Sequence, residues 1–264
     1  MSSLASMSTG ALMASNYANK AQKELNNSIA RISSGKRAMN GRDPAGQGIA
    51  DSLNSSSRSW NVAARNAEDG ISAAQIVESS LMEIASLAQR LRELAIQADN
   101  ADIQTTSDKT ALDTEAAAIY DAIDAIVEDT KFNGVDLLGF SVKSHAVAVA
   151  DDGGPIYLKT SNGFTSVSDY NEAAGAEVTA DIILSEVATD LGNVAAGMSA
   201  FKARQAVAYS ASANLAAAAS RIEDTDVALE SANLTRMAIL NQSAMAMVAQ
   251  ANKAAGAFLT IINS

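Results

Sequence analysis

Apolar residues recur at alternating intervals of three and four at both ends of the chain. The N-terminal series Leu4, Met7, Ala11, Ala14, Ala18, Ala21, Leu25, Ser28, Ile32 is broken only by Ser28. The C-terminal series Met237, Leu240, Ala244, Met247, Ala251, Ala254, Phe258, Ile261 is unbroken. This period draws one narrow apolar stripe along an α-helix. Both ends are therefore predicted as helices of roughly 35 to 45 Å at 1.5 Å per residue, with seams suited to pairing with one another.

The same spacing continues inside the chain. Val77, Leu81, Ile84, Ala88, Leu91, Ala95 and Ala98 form one seam, after which the polar run "DNADIQTTSDKT" offers Ser and Asp residues to cap a new helix. Leu112, Ala116, Ile119, Ile123 and Ile126 form the next seam, and Asn133-Gly134 within "KFNGVDLLG" supplies a turn. A third runs Leu184, Val187, Leu191, Val194, Met198, Phe201, Gln205, Ala208, Ser212, Leu215, Ala219, Ile222, with Gln205 and Ser212 placed to fix register. Between about Phe140 and Ala180 the period shortens to alternation. Val142, Val147 and Val149 precede Gly153-Gly154-Pro155 and Ile156 to Leu158, which reads as a β-hairpin. The predicted fold is mainly α: a long antiparallel, coiled-coil-like helical rod built from discontinuous N- and C-terminal halves, with a small β-hairpin tip.

Composition narrows the function. Hydrophobic residues make up 48% of the 264, but much of this is Ala and aromatics are only 4%, which suits helices in close approach better than a bulky enzyme core. Cysteine is absent, which excludes disulfides, thiolate nucleophiles and Cys-type zinc sites. The net charge of −11 argues against duplex nucleic acid as partner. Residues 1–42 run the other way, with Lys20, Lys23, Arg31, Lys36, Arg37 and Arg42 against Glu24 alone. For Arg31, Lys36, Arg37 and Arg42, pairing with the acidic helices of neighbouring subunits is expected. The opening residues lack a charged segment before an apolar one, so they make a poor secretory signal. The tail from Ser243 to Ile262 contains Gln250, Asn252, Lys253 and Thr260, too polar for a bilayer span.

Ala-rich seams bury little area, so a lone pair of terminal helices is marginal. Residues off the seams, among them Met13, Ile29, Met245, Val248, Leu259 and Ile262, leave a second apolar side uncovered. Other copies of the chain are the natural cover. The expected core interface between copies comprises Leu4, Met7, Leu25, Ile32, Met237, Leu240, Met247, Phe258 and Ile261.

Catalytic and metal-binding patterns do not emerge. His145, the single histidine, sits in an alternating strand without ligand partners and reads as a surface or tip residue. Asp151-Asp152-Gly153-Gly154 lacks the alternating acids and later Glu of a calcium loop and reads as a turn. Glu223, Asp224 and Asp226 beside Arg221 read as an exposed or interface charge cluster. Ser161, Thr165, Ser166 and Ser168 are open to glycans where a host supplies the enzymes. No cofactor, membrane or nucleic-acid partner is expected, and the chain is read as a non-enzyme.

Longer blocks sharpen this. "ELNNSIARISSGKRAMNGRDPAGQGIADSL" (24–53), "RNAEDGISAAQIVESSLMEIASLAQRLRELAIQADN" (65–100) and "KFNGVDLLG" resemble the N-terminal half of bacterial flagellins, and "SRIEDTDVALESANLTRMAILNQSAMAMVAQAN" (220–252) resembles the C-terminal half. The chain departs from the family pattern at Lys36, Ala38 and Pro44, and Pro44 is expected to end or bend any helix continuing from Ile32. The resemblance implies a filament subunit of the bacterial flagellum, extracellular, exported unfolded by the flagellar type III apparatus with an export chaperone, and assembled with filament cap and junction proteins. It implies an inner core domain of residues 1–42 and 223–264, a surrounding helical domain of 43–139 and 181–222, and a variable tip of 140–180. Gln89, Arg90, Leu91, Arg92, Glu93 and Leu94 match the family segment recognised by the vertebrate toll-like flagellin receptor, with Glu115 a further contact, and the same face packs on a neighbouring subunit. The alternatives are a hook-filament junction or cap-associated protein and a cytosolic helical enzyme.

Overall fold

A computed structural model describes the backbone of residues 2–37, 43–165 and 173–262, and the side chains of residues 9–37, 43–100, 102–165, 173–257 and 260. Among these residues are five α-helices: α1 (Ser2–Ser34), α2 (Pro44–Ala98), α3 (Thr106–Asp129), α4 (Ala176–Glu223) and α5 (Val227–Ile262). Strands β1 (Lys131–Phe132) and β2 (Val135–Asp136) form one antiparallel hairpin, and β3 (Val142–Ala148) and β4 (Pro155–Asn162) a second. The fold is mainly helical with a small β element, as the hydrophobic periods imply.

Local chemistry sets the boundaries. Gly35 at φ 71° ends α1, its N–H reaching the Arg31 carbonyl at 2.8 Å. Pro44 breaks nothing, because α1 has already stopped at Ser34. It opens α2 instead, at a position whose N–H has no helical partner in any residue. The polar run before α3 closes a capping box, in which the Thr105 side chain accepts from the Asp108 N–H and the Asp108 carboxylate accepts from the Thr105 N–H. Asn133 and Gly134, at φ 50° and 78°, supply the two left-handed residues that join β1 to β2.

The chain divides into two compact units, Met1–Asn54 with Ala216–Ser264, and Ser55–Leu215. Helices α2 and α4 contribute to both. In the Ser55–Leu215 unit every member of the seam from Val77 to Ala98 is buried. Leu112, Ala116, Ile119 and Ile123 of α3 join it, and Val127 rather than Ile126 completes the row. On α4 the buried row is Ala176, Ala180, Ile183, Val187, Val194, Phe201, Ala208 and Ser212, so it follows the predicted seam at its later positions and begins before it. Polar contacts fix the register of α2 on α4. The Ser57 hydroxyl meets the Ser212 carbonyl at 3.0 Å, and Glu68 accepts from Gln205 at 2.7 Å and Tyr209 at 2.8 Å. The β3–β4 hairpin is tied to the helices by the Asn66 amide on the Ala148 carbonyl (2.9 Å) and by buried Asp190, which accepts from the backbone and side chain of Asn162 at 3.0 and 2.8 Å.

Candidate self-association surface

The Met1–Asn54 and Ala216–Ser264 unit is built on α1 packed along α5. Ala18, Ala21 and Ser28 are the buried side chains of α1 among those described. On α5 no described apolar side chain is buried, and Glu230 alone is. The strip of α5 turned toward α1 is half-buried: Leu234, Met237, Asn241, Ala244, Val248, Ala251 and Ala255. It shares Met237, Ala244 and Ala251 with the predicted seam but is rotated part of a turn, because the Asn241 amide donates to the Ala18 carbonyl at 3.0 Å and draws a polar residue inward. Leu240 and Met247 consequently stand outside, 49% and 64% exposed.

These displaced residues line a groove. Tyr17, Ala21, Met237, Leu240, Ala244 and Met247 border a concavity of about 390 Å³ along one flank of the helix pair. Met247 also borders a second, of about 280 Å³, with the small residues Gly10, Ala14, Ala251 and Ala254. Met13 and Tyr17 are exposed on α1. Three predicted interface residues, Met237, Leu240 and Met247, thus share one flank. Leu25 and Ile32 are half-buried, and the side chains of Leu4, Met7, Phe258 and Ile261 lie outside the described residues. Tyr17 was missed by the period. Its only sequence signal is the i, i+4 spacing to Met13 and Ala21, off the main stripe.

Arg31, Lys36 and Arg37 of the basic N-terminal group, expected to pair between subunits, each have a partner within the chain. Arg31 meets both Glu230 carboxylate oxygens at 3.1 Å. Lys36 pairs with buried Glu223, whose hydrogen bond and charge raise the lysine pKa. Arg37 donates to the Ile222 carbonyl at 3.0 and 3.2 Å and pairs with Asp43 at 3.2 Å. Together with Arg37 N to Glu223 O (2.6 Å) and Thr225 N to Gly35 O (2.9 Å), these bonds cross-link the α1–α2 and α4–α5 connections. Arg42 lies outside the described residues. Burial raises the Glu230 carboxyl, but hydrogen bonds from Ser28 and Arg31 and the Arg31 charge outweigh it and hold the group below its ordinary pKa. Asp226 accepts from the N–H groups of Ala228 and Leu229 at the start of α5, and Asp224 from the Ser220 hydroxyl, so the three acids after Arg221 have structural partners.

In the other unit the segment 89–94 splits by helical geometry. Leu91 and Leu94 are fully inside the core, so they cannot meet a partner while this unit is folded. Gln89, Arg90, Arg92, Glu93 and Glu115 are exposed. Arg90 joins Glu115 at 2.7 Å and Glu93 at 3.1 Å, and these hydrogen bonds raise its pKa. Arg92 pairs with Glu177 and Asp181 of α4 at 3.4 and 3.1 Å. His145 lies half-buried in β3 of the hairpin that the alternating pattern predicted. Among the described residues no acidic or histidine cluster could hold a metal, and no helix is long and apolar enough to cross a membrane.

Comparison with known proteins places this geometry. The bacterial flagellin N-terminal helical region matches residues 6–141, and the bacterial flagellin C-terminal helical region matches residues 177–261. A flagellin of Halalkalibacterium halodurans is 32% identical over 92% of this chain and 92% of its own length. The flagellar filament 30.7 kDa core protein of Treponema maltophilum is 29% identical over 95% of this chain and 98% of that one. Flagellin A of Vibrio anguillarum is 39% identical over 60% of this chain but only 41% of its own length. With both terminal regions matched in order, and a relative similar along nearly the whole length, the chain belongs to the bacterial flagellin family.

Proposed function

We propose that this chain is the repeating subunit of the bacterial flagellar filament, an extracellular helical homopolymer. The observation that carries the reading is α5, a helix of 36 residues without one buried apolar side chain among those described. Full burial of a large apolar side chain stabilises by about 1.5–3 kcal/mol. Met13, Tyr17, Leu240, Met245 and Met247 together therefore offset much of the roughly 4–15 kcal/mol cost of association. Neighbouring copies supply the cover, and the small residues beside Met247 let a neighbouring helix approach closely. The names of the similar proteins from Halalkalibacterium and Treponema support the same assignment.

In this reading residues 1–42 and 223–264 form the inner core, 43–139 and 181–222 the surrounding helical layer, and 140–180 the outer tip. The chain leaves the cell unfolded through the flagellar type III route with a chaperone, meets junction and cap proteins during assembly, and serves swimming motility. Its exposed Gln89, Arg90, Arg92, Glu93 and Glu115 are the residues of the matched segment open to an innate receptor, and a reporter-cell assay on the purified monomer tests that recognition. Seeding the purified chain with filament fragments and following growth by electron microscopy tests the assembly itself. Long tubes are expected. Absence of growth would select a junction or cap-associated adaptor or a cytosolic helical protein instead.

A further inference from the structure

Met7, Met13, Met237, Met245 and Met247, five of the nine methionines, lie on α1 and α5. Met247 stands apart by its surroundings. It is 64% exposed and borders both concavities of the flank, with Met237 and Leu240 in one and the small residues Gly10, Ala14 and Ala251 in the other. Met237 is half-buried, and Met198 of the other unit packs against its core. Met82 on α2 matches Met247 in exposure, at 62%, but lines neither concavity. A thioether is a soft, electron-rich sulfur, and small peroxides reach it wherever the side chain is open to water.

What next covers the sulfur decides the consequence. Oxidation turns a flexible apolar side chain into a polar one with a strongly accepting oxygen. While the groove is open that oxygen is hydrated, in the company of exposed Tyr17, Lys20, Ser243 and Gln250, so the folded monomer tolerates it. A neighbouring copy that closes the groove must strip the water away, and a polar group buried without full replacement of its hydrogen bonds opposes closure. We propose that Met247 is an oxidation site for hydrogen peroxide, and that its sulfoxide holds the chain in the unassembled state. In the step, a sulfur lone pair attacks one peroxide oxygen, the S–O bond forms as the O–O bond breaks, and the displaced hydroxide takes the proton of the transferred hydroxyl and leaves as water. Sulfur is oxidised and the peroxide is reduced. The effect on assembly rests on the filament-subunit reading above, whereas the chemistry at the sulfur does not.

Full-length monomer is treated with hydrogen peroxide, freed of it, mapped by peptide mass spectrometry and seeded with filament fragments. Met247 and Met82 are expected to oxidise at similar rates, with helix content by circular dichroism unchanged. The critical concentration for growth is expected to rise about tenfold. That rise should shrink to about twofold in Met247→Leu, a volume-conserving swap, and persist in Met82→Leu. Methionine sulfoxide reductase acting on the oxidised wild type, a test that needs no variant, should restore growth as the Met247 sulfoxide disappears. Met247 left unreacted, an unchanged critical concentration after its oxidation, an equal rise in Met247→Leu, or growth not restored by the reductase would each overturn the proposal. Untreated wild type that fails to grow would instead overturn the filament reading, and the proposed effect on assembly with it.

Discussion

Phe201 sits fully buried against Gly70, where a Cβ would fall 3.0 Å from the ring. Phe201→Ala is expected to destabilise the chain by about 3–5 kcal/mol, read from urea unfolding followed by circular dichroism. Gly70→Ala tests the other half of the contact. Helix propensity favours it by up to about 1 kcal/mol, but overpacking costs about 1–3 kcal/mol, and a ring closed in on every side cannot move away. Net destabilisation is expected, and a stabilised variant would show that the contact is loose. Glu230 gives a pH test. Its folded carboxyl is held below the ordinary 4.5, so the ionised group stabilises the α1–α5 pair above that value, and the contribution is lost as pH falls through the folded pKa. Hydrogen exchange of α5 amides in wild type and Glu230→Gln, compared at equal pH, should show the wild-type advantage largest above about pH 4.5 and shrinking below it. An advantage independent of pH would exclude the carboxylate as its source.

Legibility differed from element to element. The Val77–Ala98 seam was fully readable because each of its residues meets a packed core on a single side. The first half of α2, from Pro44 to about Ile76, was not. Its sequence is Ser- and Asn-rich, and its buried residues are mostly alanines such as Ala50, Ala63, Ala64 and Ala67, which read equally well as exposed. On α5 the period gave the helix and misplaced its face by part of a turn. In an Ala-rich helix two adjacent stripes have nearly equal hydrophobicity, and the hydrogen bond from Asn241 decides between them. That displaced face yields a test: Leu240→Glu with Met247→Glu should leave helix content unchanged, since both side chains are exposed in the isolated chain, and should abolish filament growth. Normal growth of the double variant, seen by electron microscopy, would remove this flank from the interface.

At the scale of the whole molecule, the two units differ in what they bury by themselves. The Ser55–Leu215 unit encloses large side chains such as Tyr120, Phe201, Leu81 and Ile84, whereas among the described residues the α1–α5 pair encloses alanines and polar groups. In the isolated chain, amides of α1 and α5 should therefore exchange with deuterium far faster than those of the α2 half near Leu81, and become protected on assembly. Equal protection in the monomer would contradict the need for neighbouring copies. Charge opposes that assembly, because every copy carries a net −11. At about 0.01 M ionic strength the screening length is roughly 30 Å, so whole subunits repel, whereas at 0.1 M it is about 10 Å and only near neighbours do. The apolar flank gains independently from salts excluded from protein surfaces. The critical concentration for polymerisation, measured by light scattering, should then fall as sodium chloride rises over that range, and should fall further in sodium sulfate at equal ionic strength. Screening alone would make the two salts equivalent, so the sulfate excess isolates the contribution of apolar burial. An equal response to both would mean that contacts other than the Leu240–Met247 flank drive growth.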